Sequence, residues 1–334
     1  MRRQLVWLVF GLLILATACS PRVVASPATL TLPPAPTSTA RNTPTPPAAT
    51  IEPPAALSAT PAQPTFDPAA CAPEACSLEG DFWLQRPVAP PAQQRADGSY
   101  LYGTSQNGQR IVHSGVEFYN PGGTPVLASA DSKVYFSGND EVQAFAPWTH
   151  FYGNLVILEH VAPDGSPMYS LYAHLSEIAV ERGAQVRAGQ VIGKVGMTGS
   201  AIGSHLHFEL RTDPVDYSTT RNPLLYLAPL QNAQGTPLAV LAGQLIDANG
   251  QTVSTPQLVA ERLDLLDTAA PERYYIETYA AGTQSAPTWQ ENFVLADLEP
   301  GRYRISFVFN GRLIERFVTL SAGKLTYLSM QLED

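Results

Sequence analysis

The segment His205-Leu206-His207-Phe208-Glu209-Leu210 alternates strictly between polar and apolar residues. A strand sends successive side chains to opposite faces, so His205, His207 and Glu209 share one face and Leu206, Phe208 and Leu210 the other. Between residues 81 and 230 the same rhythm recurs as short β-branched and aromatic runs broken by Gly, Pro, Asn and Asp, without a sustained helical period. Expected strands are Pro125 to Ala130, Lys133 to Ser137, Asn154 to His160, Tyr169 to His174, Gln190 to Val195 and His205 to Arg211. The fold class that follows is all-β, with an antiparallel sheet. All six histidines of the 334-residue chain lie between His113 and His207, which confines imidazole chemistry to this domain.

Period two applied to Leu171-Tyr172-Ala173-His174-Leu175 sends Tyr172 and His174 toward the histidine groove and Leu171, Ala173 and Leu175 toward the core. A fourth imidazole comes from His113-Ser114-Gly115-Val116-Glu117, where a carboxylate follows four residues on and the glycine favours a strand or turn over a helix. Catalytic zinc sites use three N/O ligands and keep one position for water, and two imidazoles with a carboxylate make one such set. His150 and His160 read as strand-edge or loop residues. Glu209 shares the face of two histidines, and reads either as a solvated carboxylate or as a group that orients a histidine.

In order along residues 103–211, these segments resemble the lysostaphin-type, or LytM-type, zinc metallopeptidases, whose domains are related to barrel-sandwich hybrids and which cut the peptide part of peptidoglycan. The matching motifs are His113-Ser114-Gly115-Val116-Glu117, Gly123-Thr124-Pro125-Val126, Tyr172-Ala173-His174-Leu175, Gly189-Gln190-Val191-Ile192-Gly193 and Gly203-Ser204-His205-Leu206-His207-Phe208-Glu209. The resemblance implies a Zn2+ ion held by His113, Glu117 and His207, with His174 and His205 as the catalytic pair. It also implies a peptidoglycan stem or cross-bridge peptide as substrate. Glu117 departs from the family pattern, which has Asp there; the extra methylene requires the backbone to sit farther from the metal or the carboxylate to swing. A non-catalytic member that binds cell wall or activates an amidase is the alternative. A lipoyl-carrier reading of Val186 to Gly193 needs a lysine at a hairpin tip, whereas Lys194 directly follows an apolar strand.

Residues 1–19 combine Arg2 and Arg3, an apolar run from Leu5 to Ala16 and the end Ala16-Thr17-Ala18-Cys19. This resembles a lipoprotein signal peptide with its lipobox, and implies lipidation of Cys19 and an extracytoplasmic protein anchored to a bacterial membrane. Residues 20–70 are mainly Pro, Thr, Ala and Ser, with only Arg22, Arg41, Glu52 and Asp67 charged, the composition of a disordered spacer. Cys71 and Cys76 follow within a lead-in over 71–80, and in an oxidising compartment such a pair is expected to form a local disulfide. The net charge of −9 argues against nucleic acid as a partner.

Residues 236–334 repeat the strand-and-turn pattern without His or Cys: Val240 to Asp247, Tyr274 to Tyr279, Asn292 to Leu295, and Tyr303 to Phe309 joined through Asn310-Gly311 to Leu313 to Leu320. Asn-Gly between two such runs is a hairpin signal. An antiparallel β-sandwich is expected, and Leu298-Glu299-Pro300-Gly301-Arg302-Tyr303 resembles carboxypeptidase-regulatory-like modules. That resemblance implies spacing or adhesion rather than chemistry.

Overall fold

The computed structural model describes residues 66–72, 74–255, 257–265 and 271–333; the leader, Cys19 and the spacer to residue 65 lie outside the described residues. Short strands dominate, as the frequent Gly and Pro breaks dictate. β1 (Cys76–Leu78) comes first, and the histidine-bearing region follows as β2 (Val116–Phe118), β3 (Pro125–Leu127), β4 (Ser132–Asn139), β5 (Asn154–Val161) and β6 (Pro167–Ala173). It continues through β7 (Glu177–Ile178), β8 (Gln185–Val186), β9 (Val191–Lys194), β10 (Leu206–Arg211) and β11 (Thr220–Arg221). The C-terminal region contributes β12 (Ala239–Ile246), β13 (Leu258–Arg262), β14 (Arg273–Ile276), β15 (Phe293–Leu298), β16 (Gly301–Phe309), β17 (Arg312–Leu320) and β18 (Leu325–Gln331). Among the described residues no helix is long and apolar enough to cross a membrane.

The histidine region is built on an antiparallel sheet in the order β11-β10-β6-β5-β4-β8, with β2 also paired to β10, and on a smaller sheet β3-β9-β7. On β10, Leu206, Phe208 and Leu210 enter the main core beside Val156 and Leu158, as period two requires. Lys194 lies within β9 and pairs with Glu177 at 2.7 Å, so it presents no carrier lysine at a hairpin tip.

The expected facing of β6 is corrected. Tyr172 stands opposite Phe208 and its hydroxyl accepts the Ser129 amide at 2.9 Å, so it faces the main core rather than the histidines. Leu171 and Ala173 face the histidine side, in a smaller apolar cluster with Phe145, Phe151 and Tyr152. His174 lies just beyond β6 with a left-handed φ of 62°, which breaks the alternation and turns its ring toward the histidines. Leu175 then returns to the main core. Alternation assigns residues to two faces, but both faces of this strand are covered, so it cannot say which cover carries the histidines.

The C-terminal region forms two four-stranded sheets, β1-β18-β12-β15 and β14-β13-β16-β17. β16 and β17 meet as the expected hairpin, with Asn310 and Gly311 both at positive φ between Phe309 and Arg312. The expected antiparallel pairing fails at β12 and β18, which run parallel with Val240 opposite Leu325. Between them the chain crosses to the other sheet and returns, and only a crossover of that length permits a parallel pair.

Cys71 and Cys76 are joined by a disulfide, and Cys76 opens β1 opposite Tyr327 of β18. The lead-in is therefore an edge of the C-terminal sheet. Phe66, inside the stretch expected to be spacer, packs its ring on Trp289 and Tyr327. One aromatic residue finding a ready apolar seat outweighs the surrounding Pro-Ala composition.

The histidine and C-terminal regions share one continuous core, in which Leu84, Leu224 and Leu227 join Leu241, Phe293 and Leu298. Arg86 reaches across to Asp297 at 2.7 Å, and both side chains are buried. The Tyr102 hydroxyl lies 2.9 Å from the carbonyl oxygens of Thr220 and Gln284, and the Asn222 amide donates to the Tyr279 hydroxyl at 2.8 Å. The terminal module is thus built into the histidine region rather than spaced away from it.

Candidate active site

β2 lies antiparallel to β10 with Glu117 directly opposite His207, so the two side chains leave one face side by side. His113 sits four residues before Glu117 in the approach to β2; its amide donates to Thr104 at 2.9 Å and its carbonyl accepts from Gly103 at 2.8 Å. Gly115 between them is a steric requirement, because a Cβ there would lie 2.3 Å from the Phe208 carbonyl oxygen. His113 Nε2 stands 3.0 Å from Glu117 Oε1, His207 Nδ1 stands 3.1 Å from the same oxygen, and the two nitrogens are 3.3 Å apart. Glu117 accommodates its extra methylene by placing one oxygen in this triangle and turning the other toward His205, 2.9 Å from Nε2.

The outer atoms decide what the triangle presents. His113 Nδ1 lies 2.7 Å from the Tyr100 carbonyl, which only accepts, so Nδ1 carries the hydrogen and Nε2 offers a lone pair. His207 Nε2 donates to Glu209 at 2.8 Å, leaving the Nδ1 lone pair inward. With both imidazoles neutral, as metal ligation requires, three lone pairs converge on one point. Four N/O ligands at 2.0–2.1 Å from a tetrahedral ion would be about 3.3 Å apart, close to the spacing here. Glu117 Oε2 is moreover buried with no aligned hydrogen-bond donor. His113, Glu117 and His207 are mutually placed to hold a metal ion, and the two-imidazole, one-carboxylate set suits zinc.

The electrostatics agree. Burial alone would discharge His207, but Glu117 and Glu209 on either side outweigh it and raise its pKa to about 9. Burial likewise opposes the Glu117 charge, yet the surrounding imidazoles hold this carboxyl well below its usual range. The pocket is an electronegative spot that favours a cation.

Beneath His207, Glu209 is fully buried, which overturns its reading as a solvated carboxylate. It accepts from Ser114 Oγ at 2.6 Å, Arg211 Nε at 2.7 Å and the Tyr152 hydroxyl. Arg211 also donates to the Phe145 carbonyl at 2.8 Å and to the Tyr152 oxygen at 2.7 Å. Burial pushes the Glu209 pKa up, but Arg211 and His207 together bring it down to about 2. This network locks the His207 ring and its tautomer. Sequence reasoning missed Ser114, Tyr152 and Arg211. Arg211 had a signal, since His205, His207, Glu209 and Arg211 continue one face at period two. Tyr152 had none, because it arrives from a loop before β5.

His174 and His205 flank the triangle with ring centroids 4.8 Å apart. His174 Nδ1 donates to the Thr198 carbonyl at 2.9 Å and His205 Nδ1 to the Gly203 carbonyl at 3.0 Å, so each presents Nε2 as a base. Burial first, then the neighbouring His207 and His205, lower the His174 pKa to about 3. His160 is not at an edge: it is buried within β5, bonded to Ser170 Oγ at 2.6 Å and packed on Trp83. His150 is an exposed loop residue, and neither it nor His160 joins the cluster. A cleft of about 350 Å³ opens over the cluster, walled by Tyr100, Tyr119, Trp148, Tyr217 and Ile202.

A His-carboxylate-His triangle with two basic imidazoles at its rim, under an aromatic cleft on a β-sheet, is an arrangement able to hold a metal ion beside two general bases. Residues 111–220 match peptidase family M23. The chain is 36% identical over 135 residues to DD-carboxypeptidase/endopeptidase Mpg of Neisseria meningitidis serogroup B, covering 40% of this chain and 27% of that protein. It is 36% identical over 119 residues to peptidoglycan DD-endopeptidase ShyA of Vibrio cholerae, covering 35% and 25%. Among solved structures, the catalytic domain of lysostaphin from Staphylococcus simulans is 30% identical, with 39% of this chain and 88% of that chain covered and a TM-score of 0.32. The match places an M23-type peptidase domain at residues 111–220. It spans about a quarter of the length of the two relatives.

Proposed function

We propose that this protein is a zinc-dependent endopeptidase that hydrolyses peptide bonds of peptidoglycan outside the cytoplasm, tethered to the membrane by lipid on Cys19. The observation that carries the reading is the convergence of the His113, Glu117 and His207 lone pairs at 3.0 to 3.3 Å, each imidazole fixed from behind. A zinc ion held there supplies Lewis acidity, lowering the pKa of a water and polarising the scissile carbonyl. The chain's own residues do the rest. Tyr100 and Glu209 hold the two imidazoles in the tautomers that face the ion. His174, neutral near pH 7, and His205 share the removal of the water's proton and the stabilisation of the developing oxyanion. The aromatic walls of the cleft hold the peptide and exclude water.

Metal analysis of the purified protein together with dye release from labelled peptidoglycan tests this reading. One zinc per chain and release of dye are expected. Glu117→Gln and His207→Ala should lose zinc, whereas His174→Ala and His205→Ala should keep it and lose at least a hundredfold in turnover, the scale of a missing acid-base or oxyanion group. Full zinc with no release on any peptidoglycan would favour a wall-binding or amidase-activating protein, and no zinc would end the metal assignment. The tether stands or falls on an acyl mass at Cys19.

A further inference from the structure

We propose that Arg110 is a specificity-determining residue of the cleft, one that binds a free carboxylate on the peptide and directs the site to carboxylate-bearing stem peptides rather than neutral oligoglycine bridges. The proposal rests on the peptidase reading above and names its substrate class.

The guanidinium of Arg110 lies 4.9 Å over the ring of Tyr100, and Tyr100 stacks on His113 at 4.0 Å with its plane 6° away. Three flat groups are thus layered outward from the metal-type site, which puts a fixed positive charge one aromatic ring away from His113. Arg110 is exposed, and among the described residues its guanidinium joins no ion pair and donates no hydrogen bond. Among the described residues it is also the one permanently cationic side chain lining the cleft, and Glu117, the one carboxylate among them there, is buried within the triangle. The whole chain carries a net charge of −9. An anionic peptide group is disfavoured by the net charge of the chain and drawn locally to this guanidinium. A guanidinium with its donors free matches a carboxylate in shape and charge, and an oligoglycine bridge offers it no such group.

Arg110 is held in place by the C-terminal module. The Arg110 amide donates to the Ser105 carbonyl at 2.9 Å, closing a loop over 105–110. Glu277, just beyond β14, accepts from Ser105 Oγ at 3.0 Å and from the Asn107 amide at 3.2 Å. Ala280 donates to the Gly103 carbonyl at 2.7 Å. A loop clasped at both its base and its tip holds the Arg110 backbone in a defined position, and the Tyr100 ring seats the guanidinium, which reduces the ordering that binding requires.

The test uses the full chain and three synthetic substrates: a cross-linked stem-peptide dimer with free carboxylates, the same dimer with those groups amidated, and pentaglycine. Cleavage and calorimetric binding are measured in parallel. The wild type should prefer the free-carboxylate dimer over its amide about tenfold, mainly in KM, the size of one charge-assisted hydrogen bond at an open site. Arg110→Gln should bring that ratio near one without changing the zinc content; Arg110→Lys should restore part of the preference. Raising the salt should shrink the wild-type preference and not that of Arg110→Gln. Equal handling of the two dimers by the wild type, a preference that survives Arg110→Gln, or faster cleavage of pentaglycine would overturn the assignment. Carboxylate-dependent binding through Arg110 without cleavage of any substrate keeps the assignment and removes the hydrolase reading instead.

Discussion

Glu209, beneath the histidine cluster, and Glu291, in the C-terminal module, are the same residue type and both are fully buried. They are opposite in charge state. Arg211 and His207 outweigh burial at Glu209 and bring its pKa down to about 2. At Glu291 burial dominates: the carboxyl takes only the Tyr279 hydroxyl at 3.1 Å and the Ala286 amide at 3.1 Å, no cationic side chain among the described residues pairs with it, and its pKa rises to about 8. Tyr102, Tyr226 and Tyr327 stand nearby, and Arg221 acts on it only from a distance. The histidine region keeps a buried charge because that charge orients a ring, while the terminal module keeps a buried neutral acid as a packing element. Burial alone does not set the state of a carboxyl; the partner does.

The largest test of this contrast removes the partner. Arg211→Met leaves Glu209 charged without its guanidinium partner, and Glu209→Gln leaves Arg211 without its carboxylate; each is expected to destabilise the fold by about 3–5 kcal/mol in denaturant unfolding. The double variant should cost clearly less than the two single losses added together, since it buries no lone charge. Additive losses would show that the pair is not coupled.

A smaller effect separates orientation from stability. In Glu209→Gln the amide oxygen still accepts from His207 Nε2, but the ring loses the carboxylate that raises its basicity. Zinc affinity should fall by about 10- to 100-fold in a chelator competition performed where the variant remains folded. Unchanged affinity would reduce Glu209 to a structural role.

A third test is a matter of sign along the pH axis. Glu291, with a folded pKa near 8 against an ordinary 4.5, holds its proton longer in the folded chain, so its contribution to stability falls as pH rises from about 4.5 to 8. Glu209, near 2 against 4.5, does the reverse: its contribution is present above 4.5 and is lost as pH falls toward 2. Glu291→Gln should therefore flatten the decline in stability between pH 5 and 8 and leave the acid limb as it is. A wild-type stability that rises over pH 5 to 8 by the amount Glu291→Gln removes would invert the assignment.

Local rules made part of this protein legible. Period two on β10 placed His205, His207 and Glu209 together, because strand geometry depends only on neighbours in the chain. Asn310-Gly311 announced its hairpin because those two residues tolerate positive φ. The spacing of His113 and Glu117 around Gly115, read with the family resemblance, named the residues that the fold then brought within 3.0 Å.

Other features depend on what arrives from elsewhere. Tyr172 faces the core because Phe208 and Ser129 stand there, and His174 faces the site because a left-handed residue interrupts the strand. The charge on Glu209 comes from Arg211 and His207, and the parallel pairing of β12 with β18 comes from a long crossover. Phe66 belongs to the terminal module because Trp289 and Tyr327 offer it a seat. Sequence alone determined which side chains share a strand face and where the chain must turn, since those follow from bond geometry over a few residues. The tertiary structure decided which face is covered, by what, and in which charge state, because burial and partnership are set by segments far apart in the chain.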